Sequence, residues 1–237
     1  MEDLLNLIKT RPSSRGLFDT NRSISKEALN KILEAGRWAP TPHNMQNFEI
    51  IAVDDPKIIE AIANIELTMQ KGANEESNNY VSASEEELKR RKTGILNSIP
   101  SGAITEHVKN PLFEYLRKSI TASSVLLIVM YDPRKRAPRS EGDFLGKIGL
   151  GCVMENMWLM AHSLGIGLQI VTAVDYSDDY EKQLKSTLGI PEYFKRAYSC
   201  RLGYPVSTKG NYLRVRRDLE DFTHYNHFGN DNESKKV

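Results

Sequence analysis

KIGLGCVMENMWLMAHSLG (residues 147–165) and IGLQIVTAV (residues 166–174) are the adjoining stretches of sequence that decide the fold. The first is apolar on nearly every side when it is wound as a helix. Such a helix must be buried, either in the core of its own subunit or against another subunit. The second stretch is short, apolar and rich in β-branched residues, which predicts a strand. The chain therefore has a buried helix that leads directly into a strand.

The segments on either side predict further helices and strands. Helical periodicity occurs in four stretches, EDLLNLIKT, SISKEALNKILEAGRWAP, DPKIIEAIANI and DDYEKQLKSTLGI. Ser25 is the expected N-cap of the second helix. Strands are predicted for three further stretches, FEIIAV (Phe48–Val53), SSVLLIVMY (Ser123–Tyr131) and RAYSCRLGYP. Two helices precede the first strand and several connections lack a helix, so a regular βαβ series does not fit. We predict an α+β fold with four or five strands.

The predicted domain organisation is one domain over residues 1–228 with an excursion and a short tail. Residues 66–117 include the polar run QKGANEESNNYVSASEEELKRRKTG, which is typical of a lid and not of a core. Residues 229–237 predict a disordered tail.

Composition excludes several classes of protein. The 32 basic and 31 acidic residues give a net charge of +1, so we expect no nucleic-acid partner. The sequence has neither a signal peptide nor an apolar run long enough for a membrane span, which predicts a cytoplasmic protein without a membrane partner. Cys152 and Cys200 lie in apolar surroundings and are expected to be buried, reduced thiols.

The usual motifs for metal, nucleophile and dinucleotide sites are missing. The five histidines form no HxxxH or HExxH pattern, so no metal site is expected. The sequence has no GxSxG elbow, and no covalent nucleophile is predicted. GLGCVMEN lacks the third glycine of a dinucleotide-binding turn, and we reject that interpretation.

RPSSRGLF, residues 11–18, is the strongest candidate for a binding site. Arg11 and Arg15 flank two hydroxyl groups, a combination that suits a phosphate. A second basic cluster, with Arg214 and Arg216, lies near the end of the chain. The residues alone leave two interpretations open, a phosphate site and an ordinary solvated loop.

Four stretches in order resemble the FMN-dependent nitroreductase family over about residues 4–226. They are RPSSRGLF, EAGRWAPTPHNMQNFEIIAV, GLGCVMENMWLMAHSLGIGLQIVTAV, and LGIPEYFKRAYSCRLGYP followed by LRVRRDLEDFTHYN. The resemblance implies a mixed central β-sheet flanked by helices. It also implies a homodimer that packs through long central helices and exchanges C-terminal arms, with FMN at the interface.

The resemblance also implies which residues bind the flavin. Arg11, Ser13 and Arg15 would hold the phosphate, ribityl chain and pyrimidine edge, and Arg214 and Arg216 would reach the phosphate from the arm. Thr41, Pro42 and Asn44 would approach from the neighbouring subunit, and Thr172 and Ala173 would line the ring near its reactive nitrogen. Lys118 is a looser match to a lysine at the pyrimidine edge.

The chemistry implied is that of the cofactor, with NADH or NADPH as electron donor and no catalytic side chain. Hydride would pass through the flavin in a ping-pong cycle to a small aromatic acceptor, either a nitroaromatic or a quinone. One alternative is a reductive dehalogenase of the iodotyrosine deiodinase type, although Glu75, Glu76, Tyr80 and Lys89 give no reliable match to its lid. Another is a flavin-binding protein without turnover.

The chain departs from the family pattern at three places. Pro12 replaces a basic residue, so one contact is lost or passes to the backbone. Asn47 and Phe48 stand where Pro-Trp is usual, and Glu155 stands where Gln is usual. These departures concern the predicted flavin site itself.

Overall fold

The computed structural model of the chain describes residues 4–70, 84, 86, 90, 107–109, 113–171, 178–206 and 216–229. The chain divides into two units. The first comprises Met1–Met69 and Lys109–Gly210, and the second comprises Gln70–Val108 and Asn211–Val237. In the described part of the second unit, a 3₁₀ turn at Leu219–Asp221 is closed by a capping box between Asp218 and Asp221. The predicted single domain with a lid remains a prediction.

The described residues form six α-helices and six strands. The helices are α1 (Leu4–Thr10), α2 (Lys26–Arg37), α3 (Pro56–Ala63), α4 (Phe113–Thr121), α5 (Phe144–Ser163) and α6 (Asp178–Leu188). The strands are β1 (Glu49–Val53), β2 (Thr68–Gln70), β3 (His107–Lys109), β4 (Val125–Tyr131), β5 (Gly167–Ile170) and β6 (Lys195–Gly203).

The main sheet has four strands in the order β1-β4-β6-β5, and β2 pairs with β3 in a separate two-stranded sheet. The register places Val53 opposite Leu126, and Leu202 opposite both Val125 and Leu168. All three pairings in the main sheet are antiparallel. The α+β class is therefore confirmed, but the sheet expected to be mixed is antiparallel throughout the described strands.

Helices cover both faces of this sheet. One core contains residues of α2 and α5, such as Ile32 and Met157, and the other contains residues of α3, α4 and α6, such as Ile62 and Leu184. All seven residues of β4 are buried between the two cores. A strand with both faces covered must be apolar throughout, which explains the continuous run in the sequence.

Local chemistry sets where the helices begin and end. The Ser25 hydroxyl accepts a hydrogen bond from the Ala28 N–H at 3.2 Å, so the predicted N-cap of α2 is confirmed. Asp55 caps α3 in the same way, and Gly189 follows α6 with a φ of +65°.

Helix α5 packs one side against the rest of the chain, and six of its 20 residues are buried. Met157 is fully buried, and a Cβ built on Gly36 of α2 would lie 2.9 Å from the Met157 Cγ. Phe144 and Ile148 are 61% and 49% exposed on another side of the helix. Cys200 is buried, whereas Cys152 is only half-buried, and both thiols are free. None of the described helices is both long and apolar enough to cross a bilayer.

Candidate functional site

The N-terminal loop, residues Arg11–Phe18, is held by hydrogen bonds from three other elements. The Trp158 indole on α5 donates to the Pro12 carbonyl at 3.0 Å, and the Tyr115 hydroxyl on α4 donates to the Arg15 carbonyl at 2.6 Å. The Ser14 N–H donates to the Leu168 carbonyl of β5 at 3.1 Å. The backbone at Pro12, where the family has a basic side chain, thus contacts α5. These hydrogen bonds hold the backbone of the loop against α4, α5 and β5.

Arg201 of β6 binds the same loop from the interior of the protein. Its guanidinium donates to the carbonyls of Ser14 and Gly16 at 2.9 and 2.6 Å. It also donates to the Gln169 side-chain oxygen at 2.7 Å and to the Ser119 carbonyl of α4 at 3.1 Å. The side chain is fully buried, and burial lowers the pKa of Arg201 to about 10.

Two glycines allow the loop to lie against the sheet. A Cβ on Gly203 would lie 2.5 Å from the Phe18 Cγ, and a Cβ on Gly167 would lie 2.6 Å from the Ser14 Oγ. Phe18 is 2% exposed, and its ring lies 4.4 Å from the Arg201 guanidinium carbon. Side chains at these glycine positions would push the loop away from β5 and β6.

Arg11 lies against α5. Its Nε is 3.1 Å from a Glu155 carboxylate oxygen, and its guanidinium carbon is 4.0 Å from the centre of the Trp158 ring. The side chain of Arg11 is 19% exposed and that of Glu155 is 38% exposed. Glu155, one of the departures from the family pattern, is therefore the ion-pair partner of a residue predicted to bind the phosphate.

A second segment, the turn Thr41–Asn47 between α2 and β1, has an unusual backbone. His43, Asn44 and Gln46 have positive φ angles of 53°, 53° and 45°. The Gln46 N–H donates to the Thr41 hydroxyl at 3.2 Å, which helps to close the turn. Residues other than glycine rarely adopt a positive φ, and backbone in this conformation often occurs at functional sites.

Both segments pack against α5. A Cβ on Gly149 would lie 3.2 Å from the Pro42 Cδ, so the small residue allows the turn to approach the helix. Arg11 contacts Glu155, six residues further along. Six residues span about 9 Å of helix. The two predicted flavin-binding segments of one chain therefore contact α5 about 9 Å apart along its axis.

Asn47 connects the turn to the segment after β4. Its amide nitrogen donates to the carbonyls of Asp132 and Lys135 at 2.8 and 3.0 Å, and its amide oxygen accepts from the Asp132 N–H at 3.2 Å. Arg134 donates two hydrogen bonds to the Asp132 carboxylate and holds the pKa of Asp132 at about 2. The segment that follows β4, DPRKRAPRSEGD, therefore begins with a buried, well-bonded aspartate.

The predicted site residues fall into four groups. Arg11, Ser13 and Arg15 lie in the N-terminal loop, and Thr41, Pro42 and Asn44 lie in the turn that also contacts α5. Arg216 is exposed in the second unit. Thr172, Ala173 and Arg214 lie outside the described residues, as do Glu75, Glu76, Tyr80 and Lys89 of the deiodinase alternative. Among the residues that the structure describes, no group of three or more His, Cys, Asp or Glu side chains could hold a metal ion.

Comparison with known proteins identifies the family. The profile of the nitroreductase family matches residues 8–204, which include both segments and α5. The chain belongs to the nitroreductase family. An NADPH-dependent oxidoreductase of Staphylococcus aureus is 22% identical over 234 residues, which cover 99% of this chain and 77% of that protein.

Solved structures of nitroreductases share the fold. An FMN-dependent nitroreductase from Clostridium difficile has a TM-score of 0.61 at 19% identity, covering 95% of this chain and 100% of the other. A nitroreductase with bound FMN from Bacteroides fragilis has a TM-score of 0.58 at 21% identity, with the same coverage. The nitroreductase fold expected from the four motifs is confirmed.

Arg201 is the residue of this site that the sequence motifs missed. One signal was present, because Arg201 is a charged residue between Cys200 and Leu202 in an otherwise apolar strand end. An arginine in such a position needs several hydrogen-bond acceptors, and the N-terminal loop provides two of them.

Proposed function

We propose that the chain is an FMN-dependent NAD(P)H oxidoreductase that reduces nitroaromatic or quinone-type acceptors. The observation that carries this proposal is the N-terminal loop, which is fixed by Trp158, Tyr115 and Arg201 and bears Arg11 and Arg15. Membership of the nitroreductase family and the FMN in the Bacteroides fragilis structure support the choice of cofactor.

The residues of this chain fit the chemistry of FMN. A phosphate monoester carries almost two negative charges. Arg15, Arg11 (which is ion-paired with Glu155) and the Ser13 hydroxyl offer two cations and a hydrogen-bond donor. We propose that Arg214 and Arg216 add to this set from the C-terminal arm, and that Thr172 and Ala173 line the ring. When bound, FMN supplies the hydride transfer between nicotinamide and acceptor, while the protein binds and orients the flavin and limits access of water.

The site requires a second subunit in this proposal. Thr41, Pro42 and Asn44 would contact the flavin of the partner subunit, with α5 at the dimer axis. The exposed apolar side chains of Phe144 and Ile148 on α5 support this arrangement, because large apolar groups at the surface of a subunit often mark an interface. We therefore propose a homodimer with two flavin sites.

The electron donor is proposed to be NADPH or NADH, and the name of the Staphylococcus aureus relative supports NADPH. The proposed location is the cytoplasm, where reduced nicotinamides are available. Residues 66–117 are proposed to act as a lid that selects the acceptor.

The proposal is tested by purifying the chain and measuring its bound flavin. We expect about one FMN per subunit and oxidation of NADPH or NADH that accelerates with a nitroaromatic or a quinone. Bound flavin without oxidation of either nicotinamide would instead support a flavin-binding protein without turnover. Reduction of a halotyrosine, with no nitroaromatic or quinone activity, would support a dehalogenase.

A further inference from the structure

Arg201 is a buried cation that bonds to uncharged groups. Within the described residues, the hydrogen bonds of its guanidinium go to three backbone carbonyls and one amide oxygen, at 2.6–3.1 Å. Its side chain is fully buried. Buried arginines are usually paired with a carboxylate, because an uncompensated charge in the interior is costly. The position of this charge in the fold therefore needs an explanation beyond hydrogen bonding.

The charge lies directly behind the N-terminal loop. The carbonyls of Ser14 and Gly16, on either side of Arg15, point toward the guanidinium. Only the backbone of the loop therefore separates the Arg201 guanidinium from a ligand that binds on the outer side of the loop.

We propose that Arg201 is the buried countercharge of the flavin phosphate, acting through the N-terminal loop without touching the ligand. This inference rests on the proposed function, in which the loop binds the phosphate of FMN. Arg201 is thus a positioning residue with an electrostatic role. A purely structural role, in which Arg201 only holds the loop in shape, would reduce the preference for FMN in every variant that disturbs the loop, whether or not the charge is kept.

Riboflavin isolates the contribution of the phosphate, because it has the ring and ribityl chain of FMN but no phosphate. Comparison of Arg201→Met, which removes the charge, with Arg201→Lys, which keeps it, then separates charge from loop shape. Dissociation constants for FMN and riboflavin are measured by quenching of flavin fluorescence, on apoprotein of the full chain and of Arg201→Met. We expect the preference for FMN over riboflavin to fall by about tenfold or more in Arg201→Met. At an effective dielectric constant near 20, two unit charges within about 12 Å of each other interact by a factor of ten or more.

Arg196→Met is the matched control. Arg196 lies in the same strand, five residues away, where its guanidinium carbon is 4.9 Å from the Tyr180 ring. Five residues of strand span about 17 Å, about twice the screening length of physiological salt (about 8 Å), so the same loss of charge should leave the preference for FMN within about threefold of the parent. Equal weakening of FMN and riboflavin in Arg201→Met would overturn the proposal. So would an equal loss of preference in Arg196→Met.

Arg201→Lys keeps the test decisive if Arg201→Met does not fold. Lysine retains the charge but cannot bond to all four acceptors in the geometry of a guanidinium. We expect both flavins to bind more weakly in Arg201→Lys while the preference for FMN stays within about threefold of the parent. A loss of tenfold or more in that preference would contradict the role of charge. If the parent binds neither flavin, the proposed function is wrong. If the parent binds both flavins but the FMN-to-riboflavin preferences of the variants differ from those expected, only the role proposed for Arg201 is wrong.

Discussion

Gly203→Ala should destabilise the protein because the new methyl group would overlap a buried ring. The added Cβ would lie 2.5 Å from the Phe18 Cγ and 2.6 Å from both the Cβ and the Cδ2 of Phe18. Carbon atoms pack at about 3.5–4.0 Å, so the ring must move by about 1 Å. Phe18 is 2% exposed and also lies against Arg201, which leaves little room for that movement.

The expected cost combines two opposing effects. Overpacking of a core typically costs about 1–3 kcal/mol, and replacing glycine with alanine recovers about 0.4–1 kcal/mol by restricting the unfolded chain. We therefore expect a net loss of about 1.3 kcal/mol in the free energy of unfolding. For a chain of this size, that loss lowers the melting temperature by about 3–5 °C.

Urea denaturation and thermal melting measure this effect, and two further variants test its cause. Gly16→Ala adds the same methyl group in the same loop, where no atom lies within 4 Å, so its stability should match or slightly exceed that of the parent. Phe18→Leu in the Gly203→Ala background should show a coupling energy above about 1 kcal/mol. A Gly203→Ala protein within about 0.5 kcal/mol of the parent would refute the reasoning.

Three other predictions test the proposed cofactor, the dimer and the turn. Arg11→Ala and Arg216→Ala should each weaken FMN binding by about tenfold to a hundredfold in fluorescence titrations, since each removes a charged hydrogen-bond donor; parental affinity in both variants would contradict the proposed phosphate site. Ile148→Glu should give a folded monomer in light scattering, because Ile148 is 49% exposed in the subunit, and an intact dimer would exclude this face as the interface. Asp132→Asn should unfold more easily than the parent in urea above about pH 4, with the difference shrinking toward pH 2. The reason is that Arg134 holds the pKa of Asp132 at about 2. The ionised carboxylate therefore stabilises the fold above the ordinary carboxyl pKa, and this stabilisation is lost as the pH falls toward about 2. A difference between the two proteins that stays constant with pH would contradict this account.

The described helices and strands were largely predictable because each has a local signal. The apolar run Val125–Tyr131 is a buried strand, and Ser25 caps α2 as its side chain and spacing suggest. Helix α5 begins at Phe144, three residues before the predicted stretch. The glycine-containing segment that precedes it has the composition of a loop, so its first turn gave no clear helical signal.

The internal contacts of the candidate site were less predictable because they join distant parts of the chain. Arg201 bonds to Ser14 and Gly16 across more than 180 residues, and Asn47 bonds to Asp132 across 85. No periodicity in a single sequence reports such pairs. The resemblance placed Arg11 in the loop, but it gave no reason to expect the ion pair with Glu155.

The complete burial of β4 creates a problem of register during folding. Alternate residues of β4, such as Leu127 and Ile128, enter opposite cores, and both are apolar. A slip of one residue against β6 would exchange these faces with little loss of hydrophobic burial, so β4 itself does not select its alignment. Strand β6 differs, because Cys200 faces one core while its neighbour Arg201 bonds to the loop and α4 on the other face. A one-residue slip of β6 would place a guanidinium among aliphatic side chains, so the arginine beneath the loop fixes which face of β6 meets each core.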